Sequence, residues 1–187
     1  MRTRRSLKRI ASLFINLFRS YFWWPLSLGI QGRPPIYIRG AECISFGSNV
    51  SSGPGLRVEA ITNYRKFQYN PRIVIGDNVS FNFNVHIGAV SLVEVGEGCL
   101  IGSNVVIVDH DHGSLSNGLT LYKDQSLTCK GGVKIGRNVW IGEGVAILSG
   151  VTVGDNCIIG ANSVLSKSVG SNSLVVGVPA NVVRTVE

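Results

Sequence analysis

Between Val133 and Leu165 an aliphatic residue returns at every sixth position: Ile135, Ile141, Ile147, Val153, Ile159 and Leu165. Four residues after each stands a smaller group, Val139, Val145, Val151, Cys157, Ser163 and Val169. A period of six matches neither an amphipathic helix nor simple strand alternation. It predicts a solenoid in which each hexad gives one short strand and one corner, and three hexads close a triangular coil. Both residues of each hexad then point inward, and successive coils stack about 4.8 Å apart. Asn138, Asn156 and Asn162 fall three places after an aliphatic residue, as do Asn49, Asn78, Asn84 and Asn104 earlier in the chain. Asparagine tolerates the unusual backbone angles of a corner, so these are read as corners.

Upstream the frame is less regular. It begins near Gly40 with Phe46, Ser52 and Val58, and breaks over about 60–72. Ile75, Phe81 and Ile87 restore it, and after a two-residue slip near Val93 it runs through Val95, Ile101 and Ile107. The next inward position would be Asp111, a group that is not buried unpaired in an aliphatic column. The chain is therefore expected to leave the coil at VDHDHG and to rejoin it at Val133. An excursion as long as 109–132 inside a compact domain is usually functional. The pattern predicts an all-β solenoid domain over 40–187, preceded by a separate segment, 1–39.

That segment changes the picture of charge. The chain has a formal charge of +7, yet residues 1–41 hold eight basic groups and no acidic one, and the remainder holds ten basic and eleven acidic residues. The basicity is not spread along a groove, so nucleic acid is not an expected partner. Ile10, Leu13, Phe14, Leu17, Phe18 and Tyr21 form a stripe at helical spacing that predicts an amphipathic helix from about Lys8 to Trp24. Arg19 interrupts it before the ~20 apolar residues a spanning helix needs. No small-residue cleavage site follows Trp23 and Trp24, so a signal peptide is not expected. The helix either caps the solenoid's open end or lies on an anionic membrane surface.

The four cysteines show no CxxC pair; Cys99 and Cys157 fall on inward positions, and Cys43 and Cys129 are isolated. Neither disulfides nor structural zinc is expected, and a reducing, cytoplasmic compartment is the default.

Candidate chemistry gathers where the frame breaks. Two of the three histidines, His110 and His112, sit at the root of the long excursion, flanked by Asp109 and Asp111. A carboxylate beside an imidazole fixes its tautomer and favours the imidazolium formed when the ring takes a proton, which suits a general base. The bland alternative is a polar loop root with capping aspartates and solvated histidines. Both stand on the residues alone.

The run NVWIGEGVAILSGVTVGDNCIIGANSVLSKSV followed by VVGVPANVVRTV closely resembles the hexapeptide-repeat acyltransferases. VSFNFNVHIG and VDHDHG resemble their lipopolysaccharide and capsular polysaccharide O-acetyltransferase branch. The resemblance implies a left-handed parallel β-helix, a homotrimer with sites between neighbouring β-helices, acetyl-CoA as acyl donor without a required metal, and a saccharide acceptor. By position the family's base falls on His110, with Asp109 beside it, and its helper asparagine on Asn82, outside the corner register. His112, Asn84 and His86 are expected on the acceptor side. Trp140, Gly142, Ala161, Gly177 and Pro179 are expected along the cofactor arm, with Lys167 and Arg184 near its phosphates. A backbone N–H near Gly142 is the expected oxyanion donor, and Cys129 is a minor candidate for an acetylated intermediate. An amino-sugar nitrogen and an antibiotic hydroxyl are the alternative acceptors. A zinc hydratase resembling the gamma class of carbonic anhydrase and a non-catalytic scaffold are the rival classes.

Overall fold

The computed structural model describes residues 29–186. The expected helix from Lys8 to Trp24 and the basic cluster around it lie outside them. The described chain forms three parallel sheets, the faces of a three-sided β-helix. Face A begins with Ile30–Gly32 and Val50–Ser52 and contains Ser80–Phe81, Leu100–Ile101, Trp140–Ile141, Ile158–Ile159 and Ser173–Gly177. The antiparallel strand Ala180–Thr185 ends it. Face B holds Ile36–Arg39, Leu56–Ala60, His86–Ala89, Val106–Val108, Ala146–Ile147 and Val164–Leu165. Face C holds Ile44–Phe46, Arg72–Ile75, Leu92–Val95, Val133–Ile135 and Thr152–Val153.

The aliphatic frame becomes one vertical column per face. Phe81, Ile101, Ile141, Ile159 and Val175 are stacked in register on face A, and Val58, Ile87, Ile107, Ile147 and Leu165 on face B. Phe46, Ile75, Val95, Ile135 and Val153 complete face C. Nearly all are buried, each contributing about 1.5–3 kcal/mol of apolar transfer free energy. The smaller inward residues Val139, Val145, Val151, Cys157 and Ser163 fill the space near the corners.

All seven predicted corner asparagines, and Asn172 besides, have φ between 54° and 61°. Their amides stack as well as turn: Asn138 donates to Asn156 at 3.0 Å and Asn156 to Asn172 at 3.2 Å. Asn82 is absent from this positive-φ set.

The coils are not equal in length. Trp140 pairs with Ile158, 18 residues on, whereas Ser80 pairs with Leu100, 20 on, Ser51 with Ser80, 29 on, and Leu100 with Trp140, 40 on. All the surplus enters at the edge where face B turns into face C. The steps from C to A and from A to B are six residues throughout, as in Ile75–Phe81–Ile87 and Val95–Ile101–Ile107. Only Ile147 to Val153 keeps six from B to C.

Two differences from the pattern reading follow. Ile30–Gly32 and Ile36–Arg39 already pair with the next coil, so the solenoid includes residues from 30 on, ten before the expected boundary at 40. Gly32 stands where an aliphatic anchor would, and Ile38 precedes Phe46 by eight residues instead of six, which hides this coil from a six-residue count. The excursions at 60–72 and 109–132 are also not structureless: they carry the antiparallel pairs Asn63–Tyr64 with Phe67–Gln68, and Asp111–His112 with Leu127–Thr128. Two-residue strands are too short for alternation to reveal. Among the described residues, no helix is long and apolar enough to cross a membrane.

Candidate active site

The two-residue surplus at Val90 and Ser91 widens the turn from face B to face C and leaves three successive N–H groups outside the ladder. The carboxylate of Asp109, fully buried one coil away, takes all three: Val90 N donates to Oδ1 at 2.9 Å, and Ser91 N and Leu92 N donate to Oδ2 at 2.7 Å each. The chain thus leaves the coil two residues before Asp111, which is exposed. Oδ1 of Asp109 also lies 3.1 Å from His110 Nδ1. Because Asp109 is surrounded by donors, this contact places a proton on Nδ1, and in the neutral ring Nε2 then carries the lone pair. The ring is packed, with 9% of the side chain exposed, so its orientation is held.

The outward side of face B lies beneath this pair. Arg57, His86 and Val106 form one row, and Glu59, Gly88 and Val108 the next. His86 Nε2 is 3.2 Å from Glu59 Oε2, and the same oxygen is ion-paired to Arg57. Burial lowers the pKa of His86 below its usual 6.5, and Arg57 lowers it further; the charge and hydrogen bond of Glu59 oppose them without prevailing. His86 is therefore neutral at neutral pH.

The two excursions meet each other. Leu127 N donates to Tyr69 Oη at 2.7 Å, the Tyr64 hydroxyl to Lys123 O at 2.8 Å, and Arg65 Nε to the same carbonyl at 3.0 Å. Ile61, Val90 and Leu127 form a small apolar cluster with Tyr64 and Tyr69 against it. His112 is exposed, edge-on to the ring of Tyr64 at 5.4 Å and to His110 at 6.4 Å.

The remaining predicted residues occupy a different edge. Asn82 is exposed at the corner from face A to face B, the opposite end of strand His86–Ala89 from His110, and the structure does not bring the two together. Asn84, at the same corner, donates to Asn104 Oδ1 at 3.3 Å and belongs to the stacked asparagines. Gly142 lies against Ala161 on that edge; a Cβ on Gly142 would come within 2.7 Å of Ala161 N. The N–H of Gly142 itself donates to Ile159 O at 2.8 Å, so it is committed to the ladder and is not the expected oxyanion donor. Gly177, in the turn that contains the exposed Pro179, donates its N–H to Ser163 Oγ at 3.0 Å, which ties the turn to the same edge. Trp140 is 53% exposed on face A, in one outward row with Ile158, Leu174 and Arg184. Lys167 is exposed past face B, on the edge of His110 and away from the rest of this set.

Pattern reading missed Glu59, Gly88 and Ser163. Glu59 had a weak signal, as the one acid in the strand LRVEA; Gly88 and Ser163 had none, because their roles depend on neighbours in other coils.

A model of the bacterial transferase hexapeptide family, six repeats long, matches residues 132–167. A putative lipopolysaccharide biosynthesis O-acetyl transferase of Escherichia coli K12 is 37% identical over 157 residues, 81% of this chain and 76% of that protein. The galactoside O-acetyltransferase of the same organism is 37% identical over 123 residues, 64% of this chain and 57% of that one. A galactoside acetyltransferase solved with coenzyme A superposes with a TM-score of 0.55 at 28% identity, over 85% of this chain and 64% of the other. The fold alone is shared with an N-acyltransferase from Bacillus cereus, at a TM-score of 0.71 and 18% identity, over 85% of this chain and 81% of that one. The three-sided parallel coil, its six-residue frame and these likenesses agree, and the chain belongs to the hexapeptide-repeat, left-handed β-helix acyltransferases.

Proposed function

We propose that the protein transfers an acetyl group from acetyl-CoA to a hydroxyl of a surface polysaccharide or of its lipid-linked sugar precursor. The observation that carries this is the Asp109–His110 pair, which leaves a basic Nε2 at the root of the two joined excursions. The acceptor hydroxyl attacks the thioester carbonyl carbon while His110 Nε2 takes its proton. As the tetrahedral intermediate collapses the C–S bond breaks, and the CoA thiolate takes that proton back from the imidazolium. Asp109 stabilises the imidazolium in between. The thioester is already activated, so no acetylated cysteine is needed, and proton transfer of this kind contributes about 10²- to 10⁴-fold.

Trp140, Gly142, Ala161, Gly177 and Pro179 fit an extended pantetheine arm, since they follow one edge and its adjoining face, with Arg184 at the far end of the row. That edge and the edge of His110 lie on opposite sides of face B, which supports a site completed between protomers of a homotrimer: one protomer supplies His110 and Lys167, its neighbour Asn82 and the cofactor edge. The 28 residues before Gly29, with their basic and aromatic groups, suit attachment to an anionic inner leaflet beside a lipid-linked acceptor.

Mass spectrometry of acetyl-CoA incubated with glycosides and lipid-linked sugars tests the reaction, and His110→Ala should abolish nearly all transfer while acetyl-CoA still binds. Full activity in that variant overturns the base assignment. The exposed His112, edge-on to His110, is the second candidate, and His112→Ala measured alongside separates them.

A further inference from the structure

Gly88 sits in the outward row between Glu59 and Val108, and its φ is outside the left-handed region, so its backbone does not call for glycine. Space does. A Cβ at this position would lie 3.2 Å from His110 Cε1, 3.3 Å from Val108 Cγ1 and 3.5 Å from His86 Nε2. The position is buried and close-packed, and the missing side chain is what lets an imidazole stand on either side of it.

Each imidazole is backed by its own carboxylate, His110 by Asp109 at 3.1 Å and His86 by Glu59 at 3.2 Å. The Glu59 side chain is only 7% exposed although it stands on the outward side of the sheet. Withdrawing a carboxylate from water is unfavourable unless it is paired, and here Arg57 and His86 pair it. One proton transfer needs only one carboxylate–imidazole pair, and the other is left for a different task.

We propose that Glu59 and His86 position the acceptor by reading the hydroxyl next to the one that is acetylated, with Gly88 allowing the two imidazoles to stand side by side. The inference rests on the reading of His110 as base toward a sugar hydroxyl, and it narrows the acceptor to a sugar with two vicinal free hydroxyls. Glu59 acts through His86: its ion-paired carboxylate accepts a hydrogen bond from Nε2–H and fixes the ring, which leaves the Nδ1 lone pair for the sugar hydroxyl. The charged and titratable groups facing His86 are Arg57, Glu59 and His110, and their balance with burial leaves it neutral. A neutral ring does not oppose the positive charge that develops on His110 during transfer.

The test compares acetyl transfer to methyl hexopyranosides with transfer to the monodeoxy analogues lacking the hydroxyl beside the reacting one. In the wild type the analogue should lose about 10- to 100-fold in kcat/KM. His86→Phe should lose a similar factor on the parent sugar and nothing further on the analogue, with acetyl-CoA affinity retained. Equal penalties for the analogue in wild type and variant overturn the proposal and leave an ordinary ion-pair network. Where His86→Phe does not fold, Gly88→Ala decides: by pushing the two imidazoles apart it should raise KM for the sugar several-fold at constant acetyl-CoA affinity, and an unchanged KM overturns the proposal. A wild type that acetylates no glycoside while still binding acetyl-CoA refutes the functional reading first, and this inference with it.

Discussion

The coils from Val133 to Val175 and the coils that carry His86 and His110 rest on the same three columns, yet they treat the turn from face B to face C in opposite ways. In the C-terminal coils Ile147 steps to Val153 in six residues, the backbone ladder closes on itself, and side chains only fill the interior. In the central coils the same turn is widened by two residues at Val90 and Ser91, and opened again by the excursion after Asp109. Widening strands backbone donors, and a stranded donor must be met by something. Asp109 meets three of them, and its reward is a rigid carboxylate beside His110. In the regular coils a donor left outside the ladder, such as Arg137 N, is met at the surface by Asp155, and no buried charge is recruited; the Asp109–His110 pair arises where regularity is broken.

Asp109→Asn breaks this contrast most severely. It keeps the size but turns an NH2 toward donors, so the orientation of His110 is lost and transfer should fall about 10²- to 10⁴-fold in steady-state assays, with lowered stability as well. Activity near the wild-type level would mean that the carboxylate serves only to fold the turn. Ile135→Ala is its counterpart in the regular column. It should lower unfolding free energy by about 2–5 kcal/mol in denaturant titration, while the rate per folded molecule stays the same.

Ser52 sharpens the comparison from the other side. Its Oγ is buried with no partner among the described residues, beneath the aromatic ring position of Phe81 in the face A column. Removing an orphaned hydroxyl should help, so Ser52→Ala is expected to stabilise by about 1 kcal/mol in a thermal melt. A loss of stability would reveal a partner in the segment before Gly29.

The smallest effect is one of pH. Because His86 resists protonation when folded, the unfolded chain binds the extra proton as pH falls below 6.5, and stability declines from there downward. Asp155, held low by the backbone N–H and side chain of Arg137, acts in the same sense only from 3.8 downward. Melts of His86→Gln should be flatter than wild type just below pH 6.5; an identical slope would remove His86 as the cause.

Much of this was legible in the chain itself, and the limits have a physical origin. The columns were readable because one residue per hexad must be aliphatic, and the corners because asparagine alone among bulky residues accepts their angles so readily. Asp109 and His110 were readable as adjacent residues at a broken frame. What joins Glu59 to His86 and Gly88 was not, because stacking pairs residues 29 and 20 positions apart and the offset depends on excursions whose lengths follow no rule. The split of Asn82 from His110 was hidden for the same reason: residues of successive coils can lie at opposite edges. The corner and acceptor-side readings of Asn84 were not separable, because a corner amide and a ligand-binding amide look alike until Asn104 is seen beside it.

The confinement of every surplus residue to a single edge has a consequence for descent. An insertion between faces B and C moves no column and disturbs no register, since the next strand returns to its place above the last whether 2, 11 or 22 residues intervene. The two other edges, fixed at six residues per step, have no such freedom. Changes of acceptor can therefore accumulate at the edge of His110 by lengthening, trimming or exchanging loops, one coil at a time, while the stack beneath is inherited intact.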